Sequence, residues 1–585
     1  MPSRLLRQVV AAVLLCAGVS AAAAQGGRSG RGVRGDGSPA AQPDIPTVTI
    51  HVNGVVVSSV DGKPIARVLV TSLDRRFAAL TDWEGRFSCD YRMPVQTAGN
   101  MFGIGGFMQP LMLRKPGYVS LNQPAQIPPP VNGSTTTNVQ LKMTPAGTIV
   151  GHVTPDAGEL PSGLRVVLRR RQAIDGAAQW VQAGGVALDR NGDYRFAELS
   201  PGDYVLETRA WSRPPGRREA LPDSIQGLLP TYYPAAPTLA EATPIHLHAG
   251  ETVNASLRPA SATLYRVAVA VEGVDGGGFG ASLMSDEGYS LGSNSATRTL
   301  EGYLPTGSYT IRIQTATPQQ GDRPVDGRTA RRPRETWFAH LHVASAPVVG
   351  TGVTATPAPD LEVVVTKNFT DQQSQQTMVP VVGSAQARTP PPVYVDLQAV
   401  DASGSFGFGE PEVEGDTVTL HGASEGTFHV HINPTRGYVA SAMSGSTNLL
   451  SSTLTIGSGG STAPIYVTLR DDFATLSYRT KQMEDEPSVV QPVFVMAIRL
   501  DAPESRPVVL PIFSPAMTGG TMRPPSTKVA PGRYLVLATR QAGVMGLEYR
   551  NPEVLPELMS KGTVVTVGPG ENADVEVPVM AEGDE

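Results

Sequence analysis

Histidine pairs are the residues of this chain whose spacing most directly suggests metal chemistry. Six of the nine histidines occur as His-x-His, namely His246 with His248, His340 with His342, and His429 with His431. Side chains two positions apart on a β-strand share one face, so each pair offers two imidazoles to one zinc or copper ion. A third ligand is needed, and His421 is the best candidate beside the last pair. A metal site of His429, His431 and His421 is thus one hypothesis.

A structural explanation competes with this metal hypothesis. In an alternating strand, Phe428, Val430 and Ile432 would point into the core. His429 and His431 would then form the polar, outward face of the same strand. No cofactor is needed in that case.

Aromatic side chains suggest a second kind of chemistry, the stacking of rings against sugars. The candidates are Trp180, Trp211, Tyr232 and Tyr233, of which the last three lie on a long Pro-rich excursion over residues 211–243. Long loops on rigid sandwiches carry recognition, so this excursion is the predicted carbohydrate-binding surface. Core packing or loop anchoring is the alternative for each ring, and an aromatic content of 6% argues against many stacking platforms.

Two short motifs resemble functional sequences but lack their context. Residues 422–426 read Gly-Ala-Ser-Glu-Gly, the pattern of a hydrolase nucleophile, which requires a sharp strand-to-helix turn. Here the motif leads into an alternating strand, so we interpret it as a turn between strands. Asp189, Asn191 and Asp193 could supply calcium ligands, but position twelve of that loop is Ser200 instead of a glutamate. The sequence therefore predicts no catalytic residues.

The elements that would position these residues are strands announced by a repeated signal. The signal occurs at Pro201-Gly202-Asp203-Tyr204, Pro305-Thr306-Gly307-Ser308-Tyr309, Glu425-Gly426-Thr427-Phe428 and Pro531-Gly532-Arg533-Tyr534. Alternating apolar positions follow each copy, and the copies are spaced by about one hundred residues, the size of one small β-sandwich. The pattern predicts an all-β tandem array of antiparallel β-sandwich modules, transthyretin-like or Ig-like.

Turn signals divide the array into modules. Asp82 to Phe87, Asp189 to Tyr194 and Asp401 to Phe406 share an Asp, a Gly and an aromatic residue at fixed offsets, which predicts hairpin turns. Gly-rich closing segments place the modules at residues 47–145, 146–260, 261–367, 368–470 and 471–585. Residues 551–558 form the one predicted short helix, with Leu555 and Leu558 facing a core.

Composition and the first residues bear on partners and compartment. With 62 Gly and 51 Pro, the chain has little room for long helices, and a net charge of -6 gives no reason to expect nucleic acid as a partner. Residues 1–24 have the basic start, apolar run and small residues of a signal peptide cleaved near Ala24. Residues 25–46 read as a flexible Gly/Arg-rich linker, and no later segment is long and apolar enough to span a membrane. The expected location is secreted or periplasmic.

The first two modules resemble a known family. Gly54-Val55-Val56, the run from Asp61 to Val70, and Thr81 to Phe87 look like the carboxypeptidase regulatory-like domain, and so does the second module from Gly147 to Leu206. That resemblance implies a transthyretin-like sandwich of the carbohydrate-binding-like class, in an exported bacterial repeat protein. It implies the accessory fold without a peptidase, because the chain has no long alternation of strands and helices to form the family's catalytic domain. The His-x-x-Glu spacing of the family's zinc enzymes occurs at His248-Ala249-Gly250-Glu251, in the Gly-rich segment that closes the second module.

The sequence as a whole predicts an exported protein that is not an enzyme. The expected function is carbohydrate or other ligand binding at the cell envelope, with a glycan or an envelope protein as partner and no cofactor. The alternative is a structural or adhesion scaffold that contacts other envelope proteins. A metal-dependent hydrolase accessory protein is the remote alternative.

Overall fold

The computed structural model describes most of the chain after residue 46 as strands and turns. The described residues are 47–72, 77–94, 111–120, 135–161, 163–210, 221–274, 279–283, 289–315, 336–370, 390–400, 405–406, 411–423, 425–457, 463–481, 493–510, 526–539 and 546–580. Strands dominate them, which confirms the predicted all-β class with β-sandwich modules. In the described part of the chain, no helix has the length and apolarity needed to cross a membrane.

The described residues of the first module form seven strands. They are β1 (Thr47–Ser58), β2 (Leu69–Ser72), β3 (Ala78–Leu80), β4 (Arg86–Pro94), β5 (Leu111–Arg114), β6 (Tyr118–Val119) and β7 (Thr136–Pro145). One sheet has the order β4-β1-β7-β6 and the other the order β3-β2-β5. Inward residues of the two sheets, such as Val52, Val70 and Leu141, form a single core between them.

A strand from the second module's part of the chain pairs with the third module. The second has β8 (Gly147–His152), β9 (Leu164–Ile174), β10 (Ala177–Ala187), β11 (Asp193–Leu199), β12 (Gly202–Ala210), β13 (Ser224–Leu228), β14 (Thr231–Tyr232), a 3-10 turn (Leu239–Glu241), β15 (Ile245–Leu247) and β16 (Thr252–Asn254). The third has β17 (Ser261–Glu272), β18 (Phe279–Leu283), β19 (Gly292–Asn294), β20 (Thr299–Leu304), β21 (Gly307–Thr315), β22 (Thr336–Val343), β23 (Val348–Thr354) and β24 (Thr356–Pro357). The sheets are β10-β9-β12-β14 with β15 beside β12, β11-β8-β16, β13-β17-β20-β19 with β23 beside β17, and β18-β21-β22-β24.

Strand β13 changes the interpretation of the Pro-rich excursion. We predicted a recognition loop over residues 211–243, but Ser224–Leu228 pairs with the first strand of the third module, with Ser224 opposite Tyr265. Thr231–Tyr232 pairs back with β12 of its own module. Backbone groups of both segments therefore form hydrogen bonds within sheets. Through Ser224–Leu228, the excursion joins the second module to the third.

The fourth and fifth modules complete the array. Their strands are β25 (Leu361–Asn368), β26 (Val393–Ala399), β27 (Ser405–Phe406), β28 (Glu412–Glu414), β29 (Thr417–Leu420), β30 (Gly426–Pro434), β31 (Tyr438–Ser444), β32 (Thr447–Asn448), β33 (Leu454–Ile456), β34 (Ile465–Arg470), then β35 (Ala474–Lys481), β36 (Phe494–Arg499), β37 (Val508–Leu510), β38 (Ser526–Val529), β39 (Gly532–Thr539), β40 (Thr563–Val567) and β41 (Asn572–Pro578). The sheets are β28-β29-β25-β34-β31-β32, β27-β26-β30-β33, β38-β35-β41 and β37-β36-β39-β40.

Each module pairs its first strand in parallel with a strand at its end, which is the last strand in four modules and the last but one, β23, in the third. The parallel pairs are β1 with β7, β8 with β16, β17 with β23, β25 with β34, and β35 with β41. The ladders are therefore mixed, with one parallel pair in each otherwise antiparallel sandwich. Parallel neighbours run in the same direction, so the chain enters a module at one end of this pair and leaves it at the other.

The repeated signal marks strand starts, as predicted. Strands β12, β21, β30 and β39 begin at its glycines, and Gly202 and Gly426 have φ of 140° and 139°, which disfavours a side chain there. The aromatic residue then enters the core. The hydroxyl of Tyr204 donates to the carbonyl of Ser200 at 2.6 Å, and Tyr534 bonds Ala530 in the same way. The strand entry is thereby tied to the preceding turn.

The first two Asp turns have the predicted chemistry but not the predicted topology. Asp82 Oδ1 accepts hydrogen bonds from the backbone of Glu84 and Arg86, and Asp189 does the same for Asn191 and Asp193. Each turn, however, connects strands of opposite sheets, β3 to β4 and β10 to β11. These are arches between the two layers and not hairpins. The third turn joins β26 to β27, which pair antiparallel in one sheet with Leu397 opposite Phe406, so its topology is the predicted hairpin. Its residues 401–404 lie outside the described residues.

The predicted helix is present but begins later in the chain. Helix α1 (Leu555–Lys561) starts after Val554, and Pro556 lies in its first turn. Leu558 is buried in a second cluster of the fifth module, with Met496, Leu535 and Tyr549, and Leu555 packs beside it. The helix therefore covers the outer face of strands β36 and β39.

Candidate functional site

A two-residue turn of the second module reaches the fourth and fifth modules. Asp175 and Gly176 connect the long strands β9 and β10, and their φ angles are 47° and 84°. Two positive φ angles fit the tight turn that suits a twisted hairpin, and Asp-Gly is the dipeptide that favours it. This signal was readable in the sequence, although our sequence analysis did not use it. We call Asp175 and Gly176 the hairpin tip.

The hairpin tip contacts the segment before helix α1. The carbonyl of Gly176 accepts a hydrogen bond from the backbone N–H of Arg550 at 2.9 Å. A Cβ atom on Gly176 would lie 2.4 Å from Cζ of Tyr549, so only glycine fits against that ring. Nearby, the Arg171 guanidinium donates to Glu548 Oε2 at 2.8 Å. The second and fifth modules therefore meet through backbone, ring and charge contacts.

The two histidines of β30 face this junction. Phe428 and Val430 point into the core of the fourth module, as the structural alternative required. His431, on the opposite face, is only 3% exposed, because residues of other modules lie against it. Its Nε2 lies 3.2 Å from Gln398 Oε1 and 3.5 Å from Asp175 Oδ2. Both neighbours of Nε2 are hydrogen-bond acceptors, so a neutral ring that carries its proton on Nε2 can donate towards them.

His429 connects the fourth module to the fifth. Its Nδ1 lies 2.9 Å from Glu504 Oε2, and the Arg550 guanidinium lies 3.0 Å from the same carboxylate oxygen. The backbone N–H of Glu504 donates to the carbonyl of Leu450 in the fourth module. We call the group formed by Asp175, His429, His431, Glu504 and Arg550 the junction cluster.

Burial and charge set the protonation states in the junction cluster. Burial lowers the pKa of His431, and the positive charge of Arg550 lowers it further. For Glu504, burial acts to raise the pKa, but the hydrogen bond from His429 and the charge of Arg550 outweigh it and leave the pKa below its usual range. At neutral pH the cluster therefore combines a neutral His431 with an ionised Glu504.

The structure does not bring the predicted metal ligands together. His421 Nδ1 lies 3.0 Å from Asp360 Oδ1 and its Nε2 lies 3.3 Å from Glu412, away from the partners of His429 and His431. Across the described ranges, no three His, Cys, Asp or Glu side chains are grouped to hold a metal ion. A metal site of these histidines stays a prediction without a supporting geometry.

The aromatic candidates of the second module have different environments. Tyr232 is 5% exposed, and its strand pairs with β12, so its ring has little free surface for a sugar. Tyr233 packs against the module core, while Trp180 is half-buried on β10. Trp211 lies outside the described residues. Burial therefore argues against the predicted platform at Tyr232, because stacking needs an open ring face.

An ionic group is buried in the same module. Glu207, on β12, has no exposed surface, and its carboxylate accepts hydrogen bonds from two guanidinium groups. Arg169 Nε lies 3.0 Å from Oε2 and Arg209 Nε lies 2.6 Å from Oε1. A buried carboxylate needs such partners, so these arginines hold Glu207 in place.

An exposed tryptophan of the first module belongs to the arch turn whose two end residues line a groove. The groove has a volume of about 770 Å³ and is lined by residues of β1, β3, β4 and β7. Asp82 and Arg86, at the two ends of an arch turn, are among its lining residues. Trp83, between them in sequence, is 87% exposed. In the sequence, Trp83 is recognisable only as a residue of the Asp82 turn.

Comparisons with known proteins give distant likenesses only. No family model matches the chain, and no curated protein matches it. Among solved structures, a minor pilin of Streptococcus agalactiae is 13% identical with a TM-score of 0.15, and it covers 36% of this chain and 96% of its own. A streptococcal ancillary pilin is 12% identical with a TM-score of 0.17, covering 53% and 100%. The Bacillus anthracis TIE protein is 10% identical with a TM-score of 0.15, covering 94% and 75%. Scores this low support no conclusion about function.

Proposed function

We propose that this chain is an exported, non-catalytic scaffold or adhesion protein that presents ligand-binding surfaces at a fixed geometry in the cell envelope. The observation that carries the proposal is the junction cluster, where the second module meets the fourth and fifth. Modules joined only by linkers move relative to one another by default. A contact between modules that are not neighbours in sequence restrains that motion.

The chemistry of the junction supports a specific and not a sliding contact. The hairpin tip fits against Tyr549 only because Gly176 lacks a side chain. The contacts of Glu504 with His429 and Arg550 are buried, and removing one partner of a buried ion pair, such as that of Glu504 with Arg550, strongly destabilises the fold. Such contacts have one favourable arrangement, which is what a support for a binding surface requires.

A distance measurement between modules tests the scaffold. Glu159 of the second module and Glu553 of the fifth are exposed, and cysteines at these positions can carry spin labels. The native Cys89 will not compete, because burial raises its thiol pKa to about 11. We expect one narrow distance distribution by pulsed electron resonance. A broad distribution would show independent modules and overturn the scaffold.

Export is the second part of the proposal. The signal-like residues 1–24 motivate it, and cell fractionation of a bacterial host with intact-mass analysis tests it. We expect a mature chain that begins near Gln25 in the periplasm or medium. A cytoplasmic chain that keeps Met1 would rule export out.

Carbohydrate recognition is the second candidate function. We do not place it on the excursion of the second module, since Tyr232 is buried there and two segments of the excursion pair in sheets. The exposed Trp83 and its groove favour the first module instead.

A further inference from the structure

We propose that the outer face of strands β4, β1 and β7 binds a neutral carbohydrate chain, with Trp83 as the stacking ring. This proposal rests on the proposed function, the presentation of ligand-binding surfaces. The face described here would be such a surface, and a neutral carbohydrate would be its ligand. We call it the amide face.

The amide face consists of side chains that alternate with core residues. Asn53 on β1 lies directly opposite Asn138 on β7 in the parallel register, and Gln140 is two residues further along β7. Ser88 on β4 lines the same groove. All four side chains are exposed, whereas Val52 and Val139, next to them in sequence, belong to the core. Neighbouring strands are about 4.8 Å apart, so polar groups recur at close intervals.

The polar groups of this face match sugar hydroxyls. Each asparagine or glutamine amide both donates and accepts hydrogen bonds, as does the serine hydroxyl. A sugar presents a dense row of hydroxyls with the same dual capacity. Carboxylates can only accept and ammonium groups can only donate, so this neutral composition favours sugars over ions.

Hydrogen bonds within the Asp82 turn order the loop that carries Trp83. Asp82 Oδ1 accepts from the backbone N–H of Glu84 at 2.9 Å and of Arg86 at 2.7 Å, which fixes the loop that carries the ring. A ring displayed on an ordered turn loses little conformational freedom on binding. Leu80, 62% exposed on β3, lines the groove as well and adds apolar surface for the C–H face of a sugar.

The charges around the groove favour a neutral chain. Its charged lining residues, Asp82 and Arg86, are opposite in sign. Arg86 is also paired with Glu84, and at the end of the face Asp90 Oδ1 lies 2.6 Å from His51 Nδ1. Among the described residues that line this groove, cationic groups are not in excess, so a sulfated or phosphorylated polymer gains no attraction from them.

Binding of defined oligosaccharides to the full mature chain tests the site. The probes are cello-, xylo-, manno- and chitohexaose, with heparin as an anionic comparison, measured by titration calorimetry up to about 1 mM. We expect at least one neutral hexasaccharide to bind, and Trp83→Ala to weaken it about tenfold or more. Gln140→Ala should weaken it as well. Because Trp83 is so exposed, its removal should leave thermal unfolding unchanged.

Tyr466→Ala removes another exposed aromatic ring, in the fourth module, and should leave affinity unchanged. No binding of any neutral probe, binding of heparin alone, or equal affinity of wild type and Trp83→Ala would each overturn the site. Binding lost in Trp180→Ala but kept in Trp83→Ala would move it to the second module and also overturn it. A narrow distance distribution between modules without sugar binding would refute the amide face and leave the scaffold standing. Sugar binding with a broad distance distribution would refute the scaffold alone.

Discussion

His429 of the fourth module and Glu504 of the fifth are joined by a contact of 2.9 Å between imidazole Nδ1 and carboxylate Oε2. Arg550, just before helix α1, holds the same carboxylate, and its backbone N–H is bonded to the hairpin tip of the second module. Three modules thus meet around one buried glutamate.

Gly176→Ala should weaken the junction. The new Cβ would meet the Tyr549 ring at 2.4 Å, and we expect a loss of about 1–3 kcal/mol in the free energy of unfolding. Hydrogen exchange at the Arg550 amide, which donates to Gly176, should accelerate.

Gly158→Ala is the matched control for this change. Gly158 has a similar φ of +80° but no atom within 4 Å of its would-be Cβ, so both variants carry the same backbone strain. Equal losses of unfolding free energy in the two variants would mean that the fit against Tyr549 does not contribute to stability.

Acid should loosen the junction through His431. Its pKa lies below the usual 6.5, so the unfolded chain takes up this proton first as the pH falls. The stability due to a neutral His431 is therefore complete above about pH 6.5 and declines below it, by roughly 1.4 kcal/mol for each unit of pKa shift. Glu504, whose pKa lies below 4.5, adds a further loss in more acidic solution.

Urea unfolding between about pH 7.5 and 5 measures this dependence. His431→Gln keeps an amide donor but does not titrate, so its stability should vary less over the range. His246→Gln, at an exposed pair with Asp203, serves as the control and should follow the wild type. An unchanged slope in His431→Gln would exclude His431 as the titrating group.

Glu207→Gln should be far more costly than an equivalent surface change. It leaves the guanidinium groups of Arg169 and Arg209 without their buried anion, and we expect a loss of about 3–5 kcal/mol. Glu301→Gln breaks the more exposed pair with Arg266 and should cost at most about 1 kcal/mol. Urea midpoints of the two variants give the comparison, and similar values would contradict the buried role of Glu207.

Tyr204→Phe should cost about 0.5–1.5 kcal/mol, because it removes the hydroxyl that donates to Ser200 at 2.6 Å. The ring itself stays in the core. Thermal unfolding measures the loss, and Tyr466→Phe, at an exposed ring, provides the reference. A neutral result for Tyr204→Phe would show that the tie between strand entry and turn is not stabilising.

Local signals predicted the strands well and the sheet partners poorly. The glycine of the repeated signal, such as Gly202, fixes a strand start because its φ and the aromatic that follows are properties of a few adjacent residues. Asp82 makes the expected backbone bonds, but the same turn can join strands of one sheet or of two. Which occurs depends on residues far away in the chain.

The junction cluster was beyond sequence reasoning for a similar reason. The sequence indicated that His429 and His431 share the face opposite Phe428, and they do. It could not indicate that Asp175, more than two hundred residues earlier, covers that face. Trp83 shows the converse case: the residue is plain in the sequence, but its exposure depends on how the first module is packed.

The parallel pair of strands in each module has a mechanical consequence. If tension is applied along the chain, the two strands of a module's parallel pair are pulled in opposite directions along their length. Their row of backbone hydrogen bonds is then loaded in shear, and many bonds must fail together instead of opening in turn from one end. A chain built from such units would resist stretching along its length.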